Sequence, residues 1–276
     1  MRKTILSLLL CLGFSLGTLA QTPRDITKEA IPVAMFQVTY AFHLPAMETK
    51  ARFGVSNTIG GSFVYKTEGN WLLTANGNFI FGKKVKGDRI DIFGEGITTS
   101  FGEITGGGGT YATFSINQRG MHLQAEAGKL FPFGPNPNSG WFVQAGAGYL
   151  TNRIHIEYDN NAYNTPYVVE DDYEYGYDRM RGGPALHLET GYLLLSDSRL
   201  LNLSVSLELT YARTKDLRDY DFRVFYPRDE AGNIIGEMAP VGYTDPHQRY
   251  NDLYYGIRVS WNIPTYQRQP EKYYYN

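Results

Sequence analysis

The feature that most constrains this sequence is a strict alternation of apolar and polar residues over long segments. In Leu201–Tyr211 the odd positions are leucine, valine and tyrosine, and the even positions are asparagine, serine, glutamate and threonine. A period of two places alternate side chains on opposite faces of a β-strand. Segments of about 10 to 13 residues exceed the usual soluble strand of about 5 or 6 and match a tilted strand that crosses a bilayer. The pattern therefore predicts membrane-spanning strands.

Eight such strands are predicted, which agrees with the even strand number of bacterial single-chain barrels. Short turns alternate with long loops between them, as in barrels whose loops face outward. The predicted fold is all-β: a transmembrane, antiparallel, up-and-down barrel with a closed lumen filled by side chains. The predicted strands cover about 34–43, 56–66, 71–82, 110–131, 140–157, 182–195, 201–213 and 251–263.

The fourth strand needs an additional assumption. Its apolar positions are even before Asn117–Gly120 (Ala112, Phe114) and odd after it (Met121, Leu123). A hairpin turn at this point would give an odd strand count. We therefore predict a β-bulge, because a bulge shifts the side-chain alternation by one residue.

The N-terminus has the features of a secretion signal. Arg2 and Lys3 precede an apolar run at 5–16, and the small-residue exit 18–20 places cleavage before Gln21. Since Leu10 precedes Cys11 where a lipidation motif requires a small residue, we do not expect a lipoprotein. The expected organisation is a signal peptide at 1–20, a periplasmic segment at 21–33, the barrel at 34–263 and a periplasmic tail at 264–276, in the outer membrane of a Gram-negative bacterium.

Polar side chains on the inward positions are expected to fill the lumen. An eight-stranded barrel has room only for side chains, so free diffusion through it is not expected. Charges in such a space require partners, and we interpret these residues as a structural network rather than a catalytic one. The predicted network consists of Lys66, His122, Gln124, Glu126, His187, Glu189, Glu208 and Arg258.

Other chemistry finds little support in the sequence. A lipid-modifying enzyme is the sharper alternative, with His43, His155 and Glu157 near outer strand ends, but no serine is paired with them by spacing. The histidines lack metal-ligand spacing, and the acids at 170–174 lack a calcium-loop pattern. The glycines at 106–109 lack the Lys-Ser/Thr of a phosphate loop. We predict no enzyme activity, no metal and no cofactor, and the net charge of -2 argues against nucleic acid.

The final strand resembles the β-signal by which the outer-membrane insertion machinery recognises its clients. The matching residues are Tyr254, Gly256, Val259 and Trp261. The resemblance implies that the chain is inserted by this machinery. About a dozen residues follow the signal, whereas many barrels end at a terminal aromatic residue.

The chain also resembles small outer-membrane barrels of Bacteroidota-type bacteria. That resemblance implies an eight-stranded barrel of poorly defined role and carries no catalytic residue. The stretches that suggest it are Arg52-Phe53-Gly54, Tyr65-Lys66-Thr67, Asn70-Trp71, Arg119-Gly120, Asn138-Ser139-Gly140, Gly176-Tyr177-Asp178-Arg179 and Trp261-Asn262-Ile263-Pro264.

Two outer loops are rich in tyrosine and arginine, the side chains that recur in interface hot spots. We predict a structural or accessory subunit that contacts outer-membrane lipid and an envelope protein partner through its loops and wall. An enzyme acting on lipid A or surface glycan, and a surface adhesin, are the alternatives. The predicted contact residues are Tyr173, Tyr175, Tyr177, Arg179, Arg218, Tyr220 and Phe222.

Overall fold

A computed structural model describes residues 26–87, 92, 103–104, 110–158, 177–196, 202–218 and 247–265. These residues form eight strands and one short helix, α1 (Met47–Arg52), between the first two strands. No helix in these ranges combines the length and apolar character that a membrane crossing by a helix requires. The strands are β1 (Val33–Ala46), β2 (Ser56–Lys66), β3 (Trp71–Gly82), β4 (Phe114–Pro132), β5 (Gly140–Tyr158), β6 (Arg181–Leu194), β7 (Leu203–Asp216) and β8 (Tyr250–Pro264).

The strands close into one antiparallel barrel in which each pairs with its sequence neighbours and β8 pairs with β1. Thr39 opposite Ser260 and Val38 opposite Trp261 mark this closing seam. The connections β2–β3, β4–β5 and β6–β7 are short and lie at one end, here called the turn end. The longer connections lie at the opposite end, the loop end. The predicted fold class is confirmed.

The predicted bulge in β4 is wrong. Pairing with β5 runs without a slip from Phe114 opposite Tyr158 to Pro132 opposite Gly140, and Asn117 and Gly120 each have a single partner. Even positions of β4 face inward along its whole length. Phe114 and Ile116 are apolar because the barrel interior becomes apolar at the loop end, where both pack on a buried cluster.

Along most of the barrel the inside is polar and the outside is apolar. Outward side chains such as Phe36, Leu207 and Ile257 are more than half exposed, while inward Glu126, Glu208 and Arg258 are buried. This distribution is the reverse of that in a soluble barrel and is typical of one that spans a membrane. Aromatic residues mark the turn-end rim of the apolar belt, as interfacial girdles do: Tyr65, Trp71, Phe131, Trp141, Tyr192 and Trp261.

The segment before β1 closes the turn end. Ile26 and Ile31 are buried in an apolar cluster with inward residues of the strands, including Leu130 and Phe142. Asn138 fixes this segment: its amide nitrogen donates to the carbonyls of Ile26 at 2.8 Å and Glu29 at 2.7 Å, and its oxygen accepts from the Ile31 amide at 3.0 Å. We call this arrangement the turn-end plug.

Candidate functional site

A buried cluster of charges lies in the middle of the lumen, and Arg258 on β8 is at its centre. A terminal nitrogen of Arg258 lies 2.5 Å from the Glu208 carboxylate on β7, and another lies 3.7 Å from Glu189 on β6. Glu189 also accepts hydrogen bonds from Gln144 at 2.9 Å and Ser206 at 2.5 Å. Two carboxylates from β6 and β7 thus face the buried guanidinium and offset the cost of burying it, while Gln144 and Ser206 hold Glu189 in place.

Three histidines extend this cluster. Nε2 of His187 lies 3.8 to 3.9 Å from the carboxylates of Glu126, Glu189 and Glu208, and its Nδ1 is 2.9 Å from the Thr210 hydroxyl. His122 packs edge-on against His187. His43 contacts Glu208 through Nε2. The structure therefore brings together seven of the eight residues assigned to the lumen network, with Gln124 hydrogen-bonded to Glu126.

Lys66 is the exception, because it lies at the turn end. Its Nζ donates to the Ile31 carbonyl at 3.0 Å and to the Asn138 side-chain oxygen at 2.8 Å. Its ammonium therefore belongs to the turn-end plug and not to the central cluster. Sequence alternation gives the direction of a side chain but not its height in the barrel.

Sequence reasoning missed two inward residues beside the cluster. His43 was assigned to the outer strand end, but it is buried in the lumen. Tyr254 was assigned only to the insertion signal, yet its ring lies 5.9 Å from that of His43, and its hydroxyl donates to Asn152 at 3.0 Å. Both residues alternate with outward residues of their strands, and this alternation could have identified them as inward. Gly256 leaves room here, since an added Cβ would lie 2.2 Å from the Phe42 carbonyl oxygen and 2.6 Å from His43.

The space left beside this cluster is small. A cavity lined by His43, His122, Leu150 and Tyr254 offers about 10 Å³, room for about one water molecule. The cluster is also a poor metal site. One ligand atom each from Glu126, His187 and Glu189 lies within 4.8 Å of the others, but the Arg258 guanidinium 3.7 Å from Glu189 opposes a cation there.

The residues of the enzyme alternative do not meet. His43 is inside the barrel, whereas His155 and Glu157 are on the outward side of β5 at the loop end. Ser56, which no sequence spacing identified, is the cross-strand partner of His43, and its hydroxyl is fully buried. The cavity beside His43 is far too small for an acyl chain or a sugar. Nothing in this geometry positions a substrate in the described lumen.

At the loop end a second buried cluster, here called the cap, closes the barrel. It consists of Phe53, Ile92, Ile104, Ile154, Ile156 and Tyr177, with Phe114 and Ile116 packed against it. Polar contacts tie the cap together: Arg179 donates to the Ile92 carbonyl at 2.9 Å and accepts, through its own carbonyl, from Arg52 at 2.7 Å. The apolar interior of β4 and β5 at this end is therefore the cap's inner wall.

Asp178 is the buried charge of the cap. Its carboxylate accepts from Arg218 and lies 3.8 Å from a guanidinium nitrogen of Arg153. Burial raises the pKa of Asp178 above its usual value, although Arg218 and Arg153 favour the ionised form. Its backbone carbonyl accepts from Ile154 at 2.7 Å, so the residue also extends the pairing of β5.

The predicted partner-binding residues divide into two groups. The first group, Tyr173, Tyr175, Tyr220 and Phe222, lies outside the described residues, as do the acids at 170–174 that were considered for calcium. Tyr177 was predicted to be a contact residue, but it is a core residue of the cap, only 4% exposed. Arg179 and Arg218 are also engaged within the cap. These three therefore position the loop bases instead of presenting free side chains.

Comparisons with known proteins concern the fold only. No family model matches the sequence, and no curated protein matches it. Among solved structures, Ail, the attachment invasion locus protein of Yersinia pestis, is similar at 7% identity with a TM-score of 0.37, covering 84% of this chain and 99% of Ail. The same protein in complex with the heparin analogue sucrose octasulfate gives 9% identity and a TM-score of 0.35, with the same coverage. The likeness to Bacteroidota-type barrels stays a prediction.

Proposed function

We propose that this chain is an integral outer-membrane protein of a Gram-negative bacterium that acts as a structural or accessory subunit and binds an envelope protein partner. The observation that carries the proposal is the closure of the described lumen at three levels. The turn-end plug, the charge cluster around Arg258 and the cap succeed one another along the barrel. A barrel filled in this way works through its surface, not through its interior.

The loop end is the surface best suited to a protein partner. Segment 159–176 lies between Tyr158 and Tyr177, which both pack in the cap, and segment 219–246 follows Arg218, which binds Asp178 of the cap. Fixed loop bases lower the entropy that binding must overcome. The same segments hold the aromatic side chains of Tyr173, Tyr175 and Tyr220, which are typical of interface hot spots.

Insertion into the membrane would use the final strand. Val259 and Trp261 face outward on β8, whereas Tyr254 and Gly256 face inward. Gly256 has a packing role beside His43 in addition to any role in recognition. We propose that the insertion machinery recognises the outward residues Val259 and Trp261.

The test is purification of the full chain from native membranes in a mild detergent, with quantification of co-purifying proteins. Stoichiometric capture of one envelope protein is expected. Replacing Tyr173, Tyr175, Tyr220 and Phe222 with serine should abolish capture, while the matched Tyr→Phe changes at the three tyrosines should retain it. A partner-free monomer that alters lipid A, or loop variants that lose only cell attachment, would overturn the subunit role in favour of an enzyme or an adhesin.

A further inference from the structure

The outward wall of β4 and β5 carries two arginines directly opposite each other. Arg119 on β4 and Arg153 on β5 are cross-strand partners. They form the next outward-facing pair after Met121 and Thr151 in the direction of the loop end. Like charges placed directly opposite on one face of a sheet destabilise the pairing. An anion bound near both side chains would offset this repulsion.

Carboxylates within the described chain supply only part of that charge. Arg119 donates to the carbonyl of its neighbour Gln118 at 3.1 Å. Arg153 lies 3.8 Å from Asp178, whose carboxylate is already bound to Arg218. Glu157, an outward carboxylate of the same strand pair, is four residues beyond Arg153, about 13 Å along the strand. Exposed Lys83 follows the end of β3 and adds further positive charge to this side.

Below the arginine pair, beyond the outward pairs Met121–Thr151 and Leu123–Tyr149, the apolar wall is indented. Outward positions of β3 to β5 hold small residues here, whereas β7 holds valine and leucine at Val205, Leu207 and Leu209. The result is a shallow, widely open groove on this wall, bordered by Leu123 and Tyr149. The small outward residues are Ala75, Gly77, Ala125, Ala127, Ala145 and Ala147.

The spacing of these two features matches a lipid molecule. The pair Ala125–Ala147 lies six residues from the pair Arg119–Arg153, about 20 Å along the strands. With a strand tilt of about 40°, this is about 15 Å along the membrane normal, which is one leaflet of the hydrocarbon core. Guanidinium groups bind phosphate oxygens in paired hydrogen bonds, and apolar grooves accept acyl chains.

We propose that β3, β4 and β5 bind a phosphorylated acyl lipid of the outer leaflet, with its phosphate at Arg119 and Arg153 and an acyl chain over Ala125 and Ala147. This inference rests on the membrane placement in the proposed function but not on any protein partner. The lipid neutralises the opposed arginines and fills the indentation in the wall.

The test uses the full chain, folded in detergent and stripped of lipid, then mixed with phosphatidylcholine vesicles containing about 5% lipid A. Lipid A retained after detergent extraction is counted by native mass spectrometry. We expect a lipid A adduct on the unchanged protein and at least a tenfold loss for the double variant R119Q/R153Q. The matched control R213Q/K215Q removes two exposed charges from β7, away from the groove, and should retain the adduct.

A second pair of variants tests the groove itself. Ala147→Phe should fill it and reduce the adduct, while Val205→Phe on β7 should not. Equal adducts in R119Q/R153Q and its control, or in both phenylalanine variants, would overturn the proposal. So would full displacement by millimolar inorganic phosphate, since that result identifies a free-anion site.

Folding and partner binding are checked on the same samples. The heat-dependent shift in gel mobility confirms that each variant is folded, and R119K/R153K, which keeps both charges, should retain the adduct if R119Q/R153Q does not fold. Dephosphorylated lipid A should bind at least tenfold less. Loss of the envelope partner with an intact lipid adduct would refute the subunit role alone.

Discussion

Strands β4 and β5 each contain two regions in which the apolar and polar faces are exchanged. In both regions the same alternate positions face inward. Near Leu123 and Tyr149 the outward side chains are apolar and the inward ones, such as Gln124, are polar. Toward the loop end the outward residues include Arg153 and Glu157, and the inward ones are Ile154 and Ile156. The face that must be apolar changes because the surroundings change from lipid to water.

The change of the apolar face also marks the membrane boundary. On the outward face the change from apolar to charged side chains falls at the same level on both strands, between the pairs Leu123–Tyr149 and Arg119–Arg153. From Arg119 to Phe114, β4 extends five further residues, about 16 Å along the strand. The loop-end portions of β4 and β5 therefore stand above the membrane and form one wall of the cap.

The largest expected effect is at the polar interior. Arg258→Met leaves Glu189 and Glu208 buried without their guanidinium, and we expect a loss of about 3 to 5 kcal/mol in the free energy of unfolding. Urea unfolding in detergent, followed by tryptophan fluorescence, measures it. Arg213→Met, at an exposed outward position, is the control. Equal midpoints for the two variants would show that the cluster does not hold the barrel together.

The next largest effect is expected on the lipid-facing wall of the barrel. Leu207→Lys places a charge in the middle of the apolar belt and should cost about 2 to 4 kcal/mol in the free energy of unfolding from a bilayer. His155→Lys, on the outward face above the belt, should change it by less than about 0.5 kcal/mol. Similar losses at both positions would contradict the boundary placed at the arginine pair.

The sequence predicted the strands well where apolar and polar residues alternate uniformly along the whole segment. The ranges predicted for β2 and β3, 56–66 and 71–82, agree with the structure because their alternation is uniform from end to end. The error in β4 arose because an inverted pattern has two causes, a register slip and a change of surroundings. Only the continuous pairing of β4 with β5 separates them.

The candidate site was predictable in direction but not in position. Parity identified inward residues, yet it did not show that Lys66 belongs to the plug or that His43 reaches Glu208, because height in the barrel depends on tilt and on strand stagger. Tyr177 was predicted from loop composition to be exposed. Its burial depends on Ile92 and Phe53, which are distant in sequence, so no local pattern could reveal it.

A milder change is expected at the inner wall of the cap. Ile154→Val removes one buried methylene from the inner wall and should cost about 0.5 to 1.5 kcal/mol of local stability. Amide hydrogen exchange at Ile154, which donates to the Asp178 carbonyl, should become about two- to tenfold faster. Ile59→Val, at an outward position in the belt, is the control and should leave exchange at the cap unchanged. Equal protection in both variants would mean that the cap is not packed as described.

The smallest effect is expected at Asp178, where burial and ion pairing oppose each other. Since its pKa is raised, the folded cap binds this proton more tightly than the open cap, so cap stability should fall as the pH rises from about 3.9 through the raised value. Asp178→Asn removes this dependence. At neutral pH it should change cap stability by no more than about 1 kcal/mol, because the desolvation cost it relieves offsets the lost contacts with Arg218 and Arg153.

Amide exchange at Ile154 between pH 4 and pH 7, corrected for intrinsic rates, measures the pH dependence of cap stability in both proteins. A cap that becomes more stable as the pH rises, with that rise lost in the Asp178→Asn variant, would show that the ion pairs outweigh burial and that the charge, not the apolar wall, holds the loop end closed.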